Sequence, residues 1–99
     1  MYISNLSHFL DEEGNIAKEM HKDGRKMASF LDMVVDACTF MRPLKKMDIN
    51  IRCFTRGCHG RIRAELQYPE MVVHWECPSC NNSGRINGWE GTKWDNIRI

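Results

Sequence analysis

Two close pairs of cysteines hold the strongest chemical signal in this chain: Cys53 with Cys58, then Cys77 with Cys80, eighteen residues apart. Two cysteines in one tight turn aim both sulfurs at one centre. A hairpin's length of chain between two such turns brings four sulfurs together, the donor set of a tetrahedral Zn²⁺ site. Cys77-Pro78-Ser79-Cys80 has the two-residue spacing of a zinc knuckle, and Pro78 pre-sets its turn. Cys53-Phe54-Thr55-Arg56-Gly57-Cys58 is looser, with four intervening residues, and Gly57 and Gly60 allow a tight backbone around Cys58. Four thiolates fill the coordination sphere, so the expected role of the ion is structural rather than catalytic. Iron in a rubredoxin-like set and a disulfide pair in an oxidising compartment compete with zinc for the same residues. His59 and His74 are the candidates to replace a cysteine. His59 follows Cys58 directly and would point away from the centre, and His74 alternates with Trp75 on a strand and faces solvent.

Four thiolates on one divalent ion carry a net charge of about −2 by ion counting. Arg52, Arg56, Arg61 and Arg63 surround the first knuckle and can offset it. The same arginines can hold phosphates, with Trp89 or Trp94 stacking on a base, as in nucleic-acid recognition. Charge is uneven along the chain. Residues 1–41 carry four Lys/Arg against seven Asp/Glu, residues 42–63 seven against one, and residues 64–99 three against five. A net charge of +1 argues against a strongly basic nucleic-acid binder of the ribosomal kind.

The elements that must position the cysteines are a helix and a small sheet. Residues 23–41 read as a helix with Asp23 as N-cap and Pro43 past its end. Met27, Phe30, Leu31, Val34, Cys38 and Met41 follow the spacing of one apolar face, widened by Val35 and Ala37. That stripe must bury itself against the ribbon or against a second copy of the chain, so the helix at 23–41 is a candidate for homo-oligomer formation. Cys38, inside the stripe, reads as a small buried hydrophobe. Upstream, Phe9 to Ile16 reads as an extended segment turning at Gly14-Asn15, with Glu12 and Glu13 in a solvated turn.

Past a linker with a short strand at Ile49-Asn50-Ile51, the period changes to two. Ile62, Ala64 and Leu66 mark one strand, Met71, Val73 and Trp75 a second, and Arg85 to Trp89 a third after a turn at Ser83-Gly84. The fold class expected is α+β: an N-terminal amphipathic helix packed with a C-terminal three-stranded antiparallel zinc ribbon. Residues 1–42 form the helical region and 43–99 the ribbon, as one compact unit. The first residues lack a basic stretch followed by an apolar core, and no run approaches the roughly 18 apolar residues of a membrane span, so the cytoplasm is the expected compartment.

The chain resembles an uncharacterised family of small bacterial zinc-ribbon proteins. The resemblance rests on Arg52-Cys53, Cys58-His59-Gly60-Arg61-Ile62, Trp75-Glu76-Cys77-Pro78-Ser79-Cys80 and the tail Gly88-Trp89-Glu90-Gly91-Thr92-Lys93-Trp94-Asp95. That family continues the second knuckle as Cys-Gly-Asp or similar; here Asn81-Asn82 follows Cys80 instead, and Asn tolerates the left-handed backbone such a turn needs. The resemblance implies a zinc ribbon behind a helical N-terminal region, and no reaction.

The function expected is therefore that of a non-catalytic interaction module with a structural zinc site, contacting nucleic acid. The alternative is a protein-binding or oligomerisation module whose basic residues only balance the zinc–thiolate charge. His8, His21, His59 and His74 have no acid or nucleophile at a suggestive spacing, so no enzymatic activity is expected.

Overall fold

The computed structural model describes residues 1–97. Strand β1 (Tyr2–Asn5) is followed by a 3-10 turn at Leu6–Phe9, helix α1 (Lys22–Met41), and strands β2 (Met47–Arg52), β3 (Arg61–Gln67), β4 (Val72–Glu76) and β5 (Ser83–Asn87). The strands form one five-stranded sheet in the order β1-β5-β4-β3-β2. Strands β2 to β5 pair antiparallel, and β1 runs parallel to β5 with Tyr2 beside Gly84.

This corrects the expected three-stranded antiparallel ribbon behind an N-terminal helix. The antiparallel strands β3, β4 and β5 lie at the centre of a larger mixed sheet, and helix α1 follows a strand rather than preceding the sheet. Two physical causes explain the difference. The β1–β5 pairing joins residues far apart in sequence, and a four-residue strand has too short a pattern to announce itself. In β2 the register shifts between Asp48 and Arg52, and Asn50 has φ of 62°, so a bulge breaks the alternation that marks a strand. Ser83-Gly84, expected as a turn, is the start of β5. A Cβ on Gly84 would lie 2.5 Å from Nε1 of Trp75, its cross-strand partner, so the bare backbone makes room for the indole.

Helix α1 lays its apolar stripe on one face of the sheet. Phe30, Leu31, Val34, Val35 and Cys38 meet Ile49, Ile62, Ala64, Leu66, Val73, Trp75 and Ile86 in a single core. Side chains of this size contribute about 1.5–3 kcal/mol each when fully buried. Met41 departs from the expected stripe and is exposed. The N-cap is His21, whose Nδ1 accepts from the Asp23 N–H at 3.2 Å, and Asp23 instead places its carboxylate in the first turn, where the helix dipole favours it. At the other end Arg42 is left-handed, its N–H donates to Cys38 O at 2.8 Å, and Pro43 prevents continuation. Burial, then the charge of Glu65, pushes the Cys38 thiol up to about 12, which keeps it neutral.

The other face of the sheet is polar. Cross-strand pairing sets Arg63 opposite Glu76, and His74 between Glu65 and Arg85. Lys46 Nζ reaches Glu76 Oε1 at 2.8 Å and Glu65 Oε1 at 4.0 Å.

Beyond β5 the tail folds back on α1. Trp89 is fully buried and Trp94 packs against the core. Asp95, 7% exposed, accepts from Gly91 N at 2.8 Å and Ile97 N at 2.9 Å. Thr39 accepts from Asn96 N at 3.1 Å, and its hydroxyl lies 2.9 Å from Trp94 O. The Gly-Trp-x-Gly-Thr-x-Trp-Asp motif is thus a lock between the end of the sheet and the second half of the helix.

Candidate metal centre

The loops that leave β2 and β4 meet at one end of the sheet, where each contributes two cysteines. The antiparallel β2–β3 and β3–β4 pairings bring those loops side by side. Sγ atoms of Cys53, Cys58, Cys77 and Cys80 all lie within 4.8 Å of one another. Cys53 is 3.7 Å from Cys80 and Cys58 is 3.6 Å from Cys77, so each close pair takes one sulfur from each knuckle. A tetrahedral ion with metal–sulfur bonds of about 2.3 Å separates its sulfurs by roughly 3.8 Å, and a disulfide by about 2.05 Å. The observed spacing fits the first and excludes the second. The four cysteines can therefore hold a metal ion.

The surrounding backbone is arranged for thiolates. Thr55 N donates to Cys53 Sγ at 3.5 Å and Gly60 N to Cys58 Sγ at 3.3 Å, each from two residues downstream. The same relation holds at Cys80, where the Asn82 N–H, then the Thr55 hydroxyl, pulls the thiol down to about 7. At Cys58 the Gly60 N–H pulls down, but burial and the neighbouring thiols leave the group raised to about 12. Without a cation one ionised sulfur opposes the ionisation of its neighbours, so Cys53, raised first by burial, and Cys58 are held up while Cys80 is held low. A bound cation reverses this and displaces the remaining protons.

Thr55 is a site residue that the ligand spacing does not reveal. Its Oγ1 lies 3.4 Å from Cys53 Sγ and 3.7 Å from Cys80 Sγ, and accepts from Asn82 Nδ2 at 2.7 Å, which ties the knuckles together. The only signal available was its place between Cys53 and Cys58. Gly60 acts differently from expectation: a Cβ there would lie 2.6 Å from Cys77 Sγ, so it clears space for a ligand of the other knuckle. Gly57 (φ 81°) and Asn81 (φ 63°) take the left-handed conformations that close the two turns.

His59 is exposed beside Cys58, and His74 sits on the polar face of the sheet with its Nε2 buried and unpartnered. Burial, then Arg85 and Lys46, lowers the pKa of His74. Among the residues expected to contact nucleic acid, all four arginines are exposed, and two of them also have partners on the polar face. Arg61 donates to Asp48 Oδ2 at 3.0 Å and contacts Asn50, and Arg63 donates to Lys46 O at 3.3 Å. The Trp89 indole offers no face to a base, since none of it reaches the surface, and Trp94 is half-buried against the core.

Beneath the first knuckle lies an aromatic cluster. Phe54 packs on Phe30 at 4.7 Å between ring centroids, on Tyr2 at 5.4 Å and on Trp75 at 5.8 Å. Because Phe54 sits between Cys53 and Thr55, the sulfur cluster and the core share one anchor.

Comparison with family models, with curated proteins and with solved structures finds no match to this chain. Among the described residues no helix is long and apolar enough to cross a membrane.

Proposed function

We propose that the protein is a non-catalytic interaction module held together by a structural Zn²⁺ ion at Cys53, Cys58, Cys77 and Cys80, with nucleic acid as its partner. The observation that supports the zinc reading best is the sulfur spacing of 3.6 and 3.7 Å across the knuckles, that of a tetrahedral sulfur cage. The N–H donors to sulfur and the Thr55 bridge add the shell that orients such ligands. Four sulfurs leave no coordination position for water or substrate, which supports a structural role over a catalytic one. The resemblance carried by the knuckles and the tryptophan tail points the same way.

Elemental analysis of protein purified without added metal tests this. One zinc per chain is the expected result, with four thiols becoming reactive on chelation while buried Cys38 stays slow. Iron in its place, with the visible absorption of a ferric–thiolate centre, overturns the metal assignment, and a metal-free folded protein overturns the site.

A second reading, a protein-docking or self-associating module, draws on Phe40 and Leu44, which are 77% and 73% exposed near the C-terminal end of α1. The stripe expected to mediate self-association is itself consumed by the sheet. Size-exclusion with light scattering separates the readings: a monomer at tens of micromolar removes self-association.

A further inference from the structure

An open cleft of about 760 Å³ lies between the first half of α1 and the first knuckle. Its apolar surface comes from Phe54, Phe30, Met33 and Ile16. Its rim carries five cations, Lys18, Lys22, Arg25, Lys26 and Arg52, and no carboxylate lines it. Lys22, Arg25, Lys26 and Ser29 follow helical spacing, so their side chains rise along one face of α1. Arg52 faces them from the end of β2. The first part of the chain is acidic in sum, yet the fold sorts its cations to this cleft. Asp11, Glu13 and Glu19 line a separate hollow that shares only Lys18 with it.

We infer that this cleft binds single-stranded nucleic acid, with phosphates on Lys22, Arg25, Lys26 and Arg52 and a base against Phe54. Several cations in a row call for several anions in a row, and an open cleft lets a polymer pass through rather than enclosing one small ion. The half-buried ring of Phe54 supplies the planar apolar platform on which any base can stack, and the guanidinium groups of Arg25 and Arg52 add flat cationic surfaces beside it. An acidic peptide offers the charges without the planar face. The acidic hollow beyond Lys18 repels a polyanion, so the strand runs from α1 toward Arg52. The inference rests on the reading above in one respect: Cys53 and Thr55, held at the metal site, fix Phe54 in place.

The test is fluorescence anisotropy of labelled twelve-residue oligothymidylate and oligouridylate with the full chain as purified, its metal content measured alongside. Binding at 50 mM salt is expected, weakening steeply as salt rises. Lys22→Gln/Arg25→Gln/Lys26→Gln should weaken it about 30-fold or more and flatten the salt slope by about 2, at roughly 0.7 per lost phosphate contact. Phe54→Leu should weaken it about tenfold with the salt slope unchanged, provided zinc content and helicity match the parent. Arg85→Gln, on the opposite face of the sheet, should change nothing. The inference is overturned if folded, zinc-loaded protein fails to bind, or if the triple variant binds as the parent does. It is overturned equally if Arg61→Gln/Arg63→Gln is the variant that loses binding, or if polyaspartate competes as well as the oligonucleotide, which gives the cleft to an acidic protein. Oligonucleotide binding by metal-free protein sinks the zinc reading and leaves the cleft standing, whereas zinc-loaded protein without binding does the reverse.

Discussion

At one end of the sheet, the loops after β2 and β4 converge on four sulfurs. At the other, the segment after β5 folds back on α1 around Trp89, Thr39 and Asp95. Both are irregular segments, and both must satisfy backbone groups that no ladder pairs. The knuckle end buries Cys53 and Cys77 but leaves Cys58 and Cys80 half-exposed, so it has little apolar mass of its own beyond Phe54. The tail end has a fully buried indole, a buried carboxylate accepting two backbone N–H groups, and the buried Thr39 hydroxyl of α1 bridging to its backbone. A loop with few apolar atoms to bury needs an external centre, and four crowded sulfurs that can all ionise only around a cation supply the donors for one. A segment rich in aromatic area needs none.

The comparison breaks first, and with the largest effect, at the proposed zinc site. Apparent zinc-binding free energies reach about 10–16 kcal/mol in small structural sites, and the knuckles bury little apolar mass of their own to replace that. Chelation, or Cys77→Ser, should therefore melt the knuckle end. Hydrogen exchange should show the amides of Cys53, Cys58, Gly60, Cys77 and Asn81 losing protection while those of Thr92 and Asp95 keep theirs. Simultaneous loss at both ends would mean that the tail depends on the ion too, and protection kept at both would mean that packing alone holds the knuckles.

The converse experiment is Trp89→Ala. Truncating a fully buried tryptophan typically costs about 3–5 kcal/mol. Chemical denaturation should show that loss, with zinc stoichiometry unchanged. A fall in bound zinc would show the two ends to be one cooperative unit.

A finer probe of the tail is Asp95→Asn. Each carboxylate oxygen accepts one backbone N–H, from Gly91 and Ile97. The amide keeps one acceptor and turns a donor toward the other N–H, at a cost of about 2 kcal/mol. An unchanged denaturation midpoint would show that the tail is held by its indoles alone.

The two ends were unequally legible in the sequence. Cysteine spacing is a local signal with a strong chemical constraint behind it, so the four residues the structure clusters can be read directly from the chain. The tail announced burial through its tryptophans, but not what it docks on, because Thr39 and Asn96 become neighbours only once α1 lies on the sheet. Strand β1 stayed hidden for the same reason: its partner is β5, and nothing local encodes a parallel pairing. Strand β2 was half visible, with Ile49 and Ile51 in place and the bulge at Asn50 spoiling the period. The cationic cleft escaped because summed charge hides geometry. Lys22, Arg25 and Lys26 lie in a stretch with more acids than bases, and only the turn of the helix gathers them.

Between the two ends, on α1, a buried carboxylate gives the smallest and most discriminating test. Asp32 is 4% exposed, its Oδ1 has no hydrogen-bond partner, and burial pushes its pKa up to about 7. In the unfolded chain the same group ionises near 4. Between those values the folded state holds a proton that the unfolded state has lost, so stability falls as pH rises through the window and levels off above about 7. One proton limits the slope to about 1.4 kcal/mol per pH unit, and between pH 6 and 7.5 the loss should come to about 1 kcal/mol. Other groups slope the opposite way. His74, lowered mainly by burial, favours folding as pH rises toward its unfolded value near 6.5, and Asp48 and Glu76, held low by a backbone N–H and by Lys46 respectively, lose their contribution only in acid. The quantity to measure is therefore the difference between the parent and Asp32→Asn, by denaturation of zinc-loaded protein at each pH. The variant should gain on the parent by about 1 kcal/mol from pH 6 to 7.5, because it has no proton to lose. Parallel curves would mean that the carboxylate is ionised and partnered in the folded chain, and that the middle of the helix, like the tail, satisfies every charge it buries.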